Sequence, residues 1–239
     1  MKIAVIVPYY PEDETTELYT RCLDSIDIRF RVFNIVDYTH SGVSAARNRG
    51  LNVALARDID YITFLDADDT FNRDAFDQIK EAIKEAPPDA DIIQLNHERE
   101  KEGFQKWMKH FNKEGWYGLD NLPGFWVAVW NKIYKADMIR KHNIRFVEGR
   151  NYGEDEVFNL ECLAKARKIY CSERVAMTHH FDNPNSLTKK ANLEGLLAEQ
   201  HELLEFMYDH KDDPELYEAI RQRQVQLWSS IVYKTIKDS

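Results

Sequence analysis

The sequence predicts an α/β fold built on a mostly parallel central sheet with helices on both faces. Three observations carry that expectation. Near-continuous apolar runs, such as Ile3 to Val7 and Tyr61 to Leu65, mark strands buried on both faces rather than on one. Segments of helical periodicity separate these runs at the spacing of strand–helix–strand units. The 239 residues, 44% of them apolar, suffice for one sizeable core without metal or disulfide staples.

In chain order, Ile3 to Val7 is the first strand and ends in Pro8-Tyr9-Tyr10-Pro11. A helix is expected over Glu14 to Ile26 and a second strand over Val32 to Val36. Ser41-Gly42-Val43-Ser44 then leads into an Ala-rich helix from Ala45 to Ala56. Tyr61 to Leu65 is the third strand, and it runs into the acidic cluster Asp66-Ala67-Asp68-Asp69. Asn72 is expected to cap the next helix, whose Phe76, Ile79 and Ile83 share a face and which Pro87-Pro88 stops. Ile92 to Leu95 reads as a fourth strand. The middle region, with Trp107, Trp116, Trp126 and Trp130, is less regular and suits a loop-rich acceptor side. From about Asn192 the pattern is helical: Leu193, Leu196, Leu197, Leu204 and Met207 suit one face, Leu216, Ile220, Leu227, Trp228 and Ile231 another. Residues 1–190 are expected to form the main domain and 191–239 a helical extension packed on it.

A net charge of −9 argues against a nucleic-acid or anionic-lipid surface role, because those partners draw a basic stripe. Cys22, Cys162 and Cys171 are odd in number and lack metal-ligand spacing, so they read as reduced residues of a cytoplasmic protein. The opening strand is too short for a signal segment, and no stretch approaches the roughly 20 apolar residues that span a bilayer. Any membrane attachment is expected to be peripheral.

The strongest local signal is Asp66 to Asp69, directly after a buried strand, where α/β sheets place ligands. Two carboxylates one residue apart can hold a ribose hydroxyl or a hard divalent cation, whose octahedron a pyrophosphate completes. Mg²⁺ or Mn²⁺ is the implied cofactor, and it would neutralise charge on a departing diphosphate. Taken alone, the same four residues suit an acidic helix-capping turn equally well.

The setting decides between these. Gly42-Val43-Ser44-Ala45-Ala46-Arg47-Asn48-Arg49-Gly50-Leu51 and then Tyr61-Ile62-Thr63-Phe64-Leu65-Asp66-Ala67-Asp68-Asp69 closely resemble the pattern of family 2 glycosyltransferases with the GT-A fold. Ile6-Val7-Pro8-Tyr9-Tyr10, Val129-Trp130-Asn131-Lys132-Ile133-Tyr134, Ile144 to Gly149, Gly153-Glu154-Asp155-Glu156-Val157-Phe158 and Asn185-Ser186-Leu187-Thr188 follow in the family's order.

The resemblance implies a nucleotide-diphosphate-sugar donor, most simply a UDP-sugar, and an inverting single displacement onto an acceptor hydroxyl, with a glycan as the expected acceptor. Pro8 and Tyr9 would line the nucleobase slot, with Arg47 and Asn48 near the donor, where a guanidinium fork suits phosphate. Asp66 would face the ribose or sugar, and Asp68 would be the metal ligand. Asp155 matches the family's catalytic base, with Glu154 as its alternative; the plain reading of Glu154-Asp155-Glu156 is a solvated helix start. His179 or His180 falls where some GT-A enzymes supply a histidine to the metal, although such a pair is also commonly structural.

The chain departs from the family between its first helix and Gly42, where a strand and a helix are missing. This abbreviated half leaves Asp37, after the second strand, as the acid available for uracil. Two other readings share these residues: a transferase acting on a modified nucleic-acid base, and a catalytically silent nucleotide-sugar binding protein. The acidic charge opposes the first, and the presence of Asp66, Asp68 and Asp155 opposes the second.

Overall fold

Strand β1 (Ile3–Tyr9) shows why a continuous apolar run is needed. Ala4 and Ile6 enter one core with Ile62 and Phe64, while Ile3, Val5 and Val7 enter a second core on the opposite face. The computed structural model describes residues 1–100, 107–109, 113–121, 127–149, 152–181, 183 and 193–238. Strand β2 (Arg31–Val36) lies parallel to β1 at the sheet edge, and β3 (Tyr61–Phe64) lies parallel on its other side. Helix α1 (Glu17–Asp24) covers the second core with Tyr19 and Cys22, and α2 (Val43–Leu55) covers the first with Leu51 and Ala54. Residues 37–42 alone join β2 to α2, in agreement with the expected abbreviation.

Beyond β3 the order is β8 (Lys132–Lys135), β5 (Ile92–Glu100), β9 (Lys168–His180) and β4 (Thr70–Phe71). Strands β6 (Trp107–Lys109) and β7 (Gly115–Gly118) pair with β5 and β9. The expected mostly parallel sheet is therefore mixed among the described strands. Pairs β1–β2, β1–β3 and β5–β9 are parallel; β8 runs antiparallel to both β3 and β5, and β4, β6 and β7 pair antiparallel as well. These additions are short strands from the region read as loops, and two to four residues are too few to display a period. The α/β class stands.

Helix α3 (Ala75–Glu85) packs on the second core through Ile79 and Ala82 and stops before Pro87. Asn72 is not its cap: Asp74 holds that position, and Asn72 accepts instead from the Thr178 hydroxyl. Helix α4 (Ala136–His142) follows β8 directly, and α5 (Glu154–Ala166) sets Val157, Phe158 and Leu160 into the first core. Helices α6 (Leu193–Asp209) and α7 (Pro214–Asp238) join that same core through Leu203, Phe206, Leu216, Ile220, Leu227 and Ile231. Leu197, Leu204 and Trp228, expected on the buried faces, are exposed. A helix in contact with both a neighbouring helix and the domain buries a face set by that double contact, which a single apolar stripe does not report.

The seat of α2 on β1 depends on Gly50, where an added Cβ would overlap Ile6 Cγ2 and lie 3.2 Å from Ile35 Cγ1. Glycine to alanine ordinarily stabilises a helix interior by about 1 kcal/mol. Here Gly50→Ala is expected to destabilise by about 1–3 kcal/mol through overpacking. Urea melts check this, and a gain in stability would contradict the packing described.

Candidate active site

Parallel strands β1 and β3 end at the same edge of the sheet, which brings Pro8 and Tyr9 alongside Leu65 and Asp66. Strand β8 runs the other way, so the residues that precede it, Val129 to Asn131, reach that edge too. The register of β4 against β9 pairs Thr70 with Thr178, which sets the acidic turn opposite His179. Helices α2 and α5 point their N-termini here. The alternation of strand and helix thus gathers residues from 8 to 180 into one site.

Its centre is Arg47, whose side chain is only 3% exposed. Nη2 donates to Asp66 Oδ1 at 2.8 Å, and Nη1 donates to Asp155 Oδ1 at 2.5 Å and Glu154 Oε1 at 3.3 Å. The guanidinium lies 5.3 Å from the Phe146 ring centroid. Burial alone would favour a neutral side chain, but Asp155, Asp66 and Glu154 outweigh it and hold Arg47 charged. The fork expected to meet phosphate is therefore occupied by carboxylates.

Asp155 keeps 22% of its side-chain surface exposed, so a substrate hydroxyl can reach it. Its second oxygen accepts the Val129 N–H at 3.2 Å. Burial, against the attraction of Arg47 and reinforced by Glu154 and Asp66, pushes the carboxyl up to about 7. Phe158, on the same helix, stacks on Phe146 at 4.0 Å, and Phe64 meets both rings edge-on. This aromatic pile seats α5 against the strand that delivers Asp66.

On the other flank, Asp69 is fully buried and accepts from His179 Nδ1 at 3.0 Å and from the His180 backbone N–H at 2.9 Å. Trp130 stacks on the His179 ring at 5.1 Å with 10° between the planes. Burial lowers the His179 pKa, but its hydrogen bond to Asp69 and the charges of Asp69, Asp68 and Asp66 win and raise it. Successive strand residues face opposite ways, so the histidines diverge: His180 Nε2 lies 2.9 Å from the Thr70 hydroxyl. Asp68 accepts from Asn183 Nδ2 at 2.7 Å, and burial followed by Asp66 raises its pKa.

Among the described residues, no three His, Cys, Asp or Glu side chains are placed to hold a metal ion by themselves. Asp68 and His179, whose Nδ1 is anchored on Asp69, nevertheless make a fitting partial donor set. Mg²⁺-type sites commonly use one or two protein ligands and draw the remainder from substrate phosphate and water. Charge points the same way: the carboxylates of Asp66, Asp68, Asp69, Glu154 and Asp155 outnumber Arg47, His179 and Arg21, which reaches the Asp68 carbonyl.

Two expected donor contacts have other partners. Asn48 is 7% exposed, and its amide clamps the Phe146 backbone through both N–H and C=O while also donating to Glu148. It faces away from Arg47 because neighbours on a helix point about 100° apart. Asp37 is 1% exposed and accepts from Gly42 N at 2.8 Å and Arg49 Nη2 at 2.9 Å, holding the loop that starts α2. Tyr9 stacks on Tyr19 at 4.5 Å. Asn185 to Thr188 and Trp126 lie outside the described residues. The roles of Asp69 and Lys132 were not legible in sequence, although both stand in singled-out motifs. Lys132 is buried, donates to the Ala128 carbonyl and to Asn131 Oδ1, and braces the turn that presents the Val129 N–H.

A mixed α/β sheet with an acidic turn at its strand ends is the arrangement of the GT-A fold. The model of glycosyl transferase family 2 matches residues 5–149, and the chain belongs to that family. It is 24% identical over 209 residues to the uncharacterized glycosyltransferase EpsJ of Bacillus subtilis (strain 168), covering 77% of this chain and 55% of that protein. It is 27% identical over 210 residues to the glycosyltransferase GlyA of Streptococcus pneumoniae, covering 70% of this chain and 29% of that one. The chain thus spans about half or less of the curated relatives it matches. The crystal structure of S. aureus TarS 1-349 in complex with UDP-GlcNAc shares the fold, with a TM-score of 0.65 at 17% identity over 85% of this chain and 67% of that one. Among the described residues, no helix is long and apolar enough to cross a membrane.

The raised pKa of Asp155 has a consequence for stability. The native state keeps a proton that the unfolded chain releases in the ordinary carboxylate range, so its contribution is full at low pH and lost as pH rises through about 7. Asp155→Asn carries no charge at any pH. Its unfolding free energy, relative to the wild type, should rise between about pH 5 and pH 8 in urea melts. A difference that stays flat with pH would contradict this electrostatic environment.

Proposed function

We propose that this chain is a metal-dependent, inverting glycosyltransferase that moves a sugar from a UDP-sugar to an acceptor hydroxyl, with a carbohydrate as the acceptor class. The observation that carries the reading is the bridge from Asp66 through Arg47 to Asp155, which holds a partly buried carboxylate of near-neutral pKa, 22% exposed, opposite the acidic turn. Family membership supports the reaction class, and the fold shared with TarS, solved with UDP-GlcNAc and with UDP, supports the uridine donor.

In this reading Pro8 and Tyr9 line the nucleobase slot, and Asp37 shapes its wall by holding the Gly42 loop. Asp66 faces the ribose or sugar. Asp68 and His179 would hold Mg²⁺ or Mn²⁺ together with the diphosphate. When bound, the ion supplies Lewis-acid neutralisation of the leaving diphosphate. Asp155 takes the proton from the acceptor hydroxyl, whose oxygen forms the new bond to the anomeric carbon. The bond from that carbon to the diphosphate breaks, and the diphosphate leaves with the electron pair. A base titrating near neutrality suits this step, because a substantial fraction is ionised near pH 7 while it stays basic enough to accept a proton.

Thermal shifts and UDP release separate binding from chemistry. Asp155→Asn is expected to keep UDP-dependent stabilisation in Mn²⁺ and to lose transfer by about 10²-fold or more. Asp68→Ala is expected to fold but to lose the Mn²⁺-dependent part of the UDP-induced shift, a mass-action effect independent of turnover. Wild-type transfer by Asp155→Asn would end the base assignment. An undiminished shift in Asp68→Ala would end the metal assignment.

A further inference from the structure

The turn that carries Asp155 is held from behind by the C-terminal helices. Helix α5 opens at Gly153 with no side-chain cap, and its first turn holds three consecutive acids that repel one another. Among the described residues the turn closes through the Val157 N–H to Gly153 carbonyl bond at 3.0 Å, and the first N–H groups of the helix have no intrahelical partner. Two arginines hold it from opposite sides. Arg47 takes Glu154 and Asp155, while Arg223 of α7 takes Glu156, which is only 1% exposed. The Arg223 contact is bidentate, Nε to Oε1 at 2.6 Å and Nη2 to Oε2 at 3.2 Å.

Helix α6 completes the grip. Arg223 Nη2 also reaches Glu199 Oε1 at 3.4 Å. Gly153 has φ of +73°, and a Cβ there would lie 2.8 Å from Glu199 Cγ, so glycine is required both by conformation and by contact. Gly195 makes room for the Tyr152 ring, which a Cβ would meet at 2.6 Å. Burial, then the hydrogen bond and charge of Glu156, raise the Glu199 pKa. Tyr152, Gly153 and Glu156 all touch the C-terminal pair, while Asp155 among them faces Arg47 and Val129. The segment matched by the family model stops at residue 149, so this support is supplied by parts of the chain beyond it.

We propose that Arg223 is a positioning residue for the transfer reaction: through Glu156 it fixes the first turn of α5, and so the direction in which Asp155 presents its carboxylate to the acceptor. The inference rests on the reading of Asp155 as the base. A misplacement of about 1 Å from a mutation away from the chemistry can cost on the order of 10²-fold in rate. A bidentate buried pair on the adjacent residue is placed to prevent that.

The test compares four full-length proteins: wild type, the double variant Glu156→Gln/Arg223→Met, Arg223→Lys and Asp155→Asn. Removing both charges avoids leaving Glu156, the more deeply buried of the two carboxylates that Arg223 meets, without its partner, as Arg223→Met alone would. UDP release is followed with UDP-glucose, UDP-galactose and UDP-N-acetylglucosamine, alongside thermal melts and amide hydrogen exchange. In the double variant kcat is expected to fall about 10- to 100-fold with the donor KM little changed. The ascending limb of its kcat–pH profile should move, and amides 153–158 should exchange faster while those of the sheet do not. Arg223→Lys, which keeps the charge without the fork, should fall between. Wild-type kcat and pH profile in the double variant would overturn the proposal. So would its global unfolding, since the pair would then serve the fold and not the base. If Asp155→Asn itself turned over at the wild-type rate, the base assignment would fail and the positioning role with it; a collapse in Asp155→Asn beside a fully active double variant removes only Arg223's role.

Discussion

The buried guanidinium of Arg47 is the constraint around which the rest of the site is organised. A charge taken out of water is costly unless carboxylates and hydrogen bonds replace the lost solvent. Asp66, Glu154 and Asp155 do so here, and they come from the end of β3 and the start of α5. Residues far apart in the chain are thereby held to one geometry. The same ion pairs that satisfy Arg47 fix Asp66 at the end of β3 relative to the first turn of α5.

The surroundings make that geometry stiff. Phe146 stacks on Phe158 beneath Arg47 while Phe64 meets both rings edge-on, and Asn48 locks the Phe146 backbone from the next position on α2. Around them the carboxylates of Asp66, Asp68, Asp69, Glu154 and Asp155 outnumber the cationic side chains. The two histidines have opposed fates, since His179 Nδ1 meets Asp69 while His180 Nε2 meets the Thr70 hydroxyl.

Much of the first half was legible in the sequence because β1 and β3 are buried on both faces and announce themselves as apolar runs. Strand β9 was not, since Lys168 to His180 mixes charged, polar and apolar side chains according to neighbours that differ along its length. The residues of the site were found by motif, but their partners were not. Arg47 and Asn48 looked alike as donor contacts, yet 100° of helix rotation sends one to the carboxylates and the other to the Phe146 backbone. Asp37 stood at the right strand end for base recognition and is occupied by Gly42 and Arg49. Arg223 carries no motif at all, and only the fold brings it to Glu156.

If Asp155 acts across the anomeric carbon from the acidic turn, the incoming oxygen attacks the face opposite the diphosphate. The most direct measurement is the anomeric configuration of the new glycosidic bond, read from proton NMR couplings of the product made from an α-linked UDP-sugar. The account predicts the β anomer. An α linkage would contradict it, because retention requires attack from the face that the diphosphate leaves.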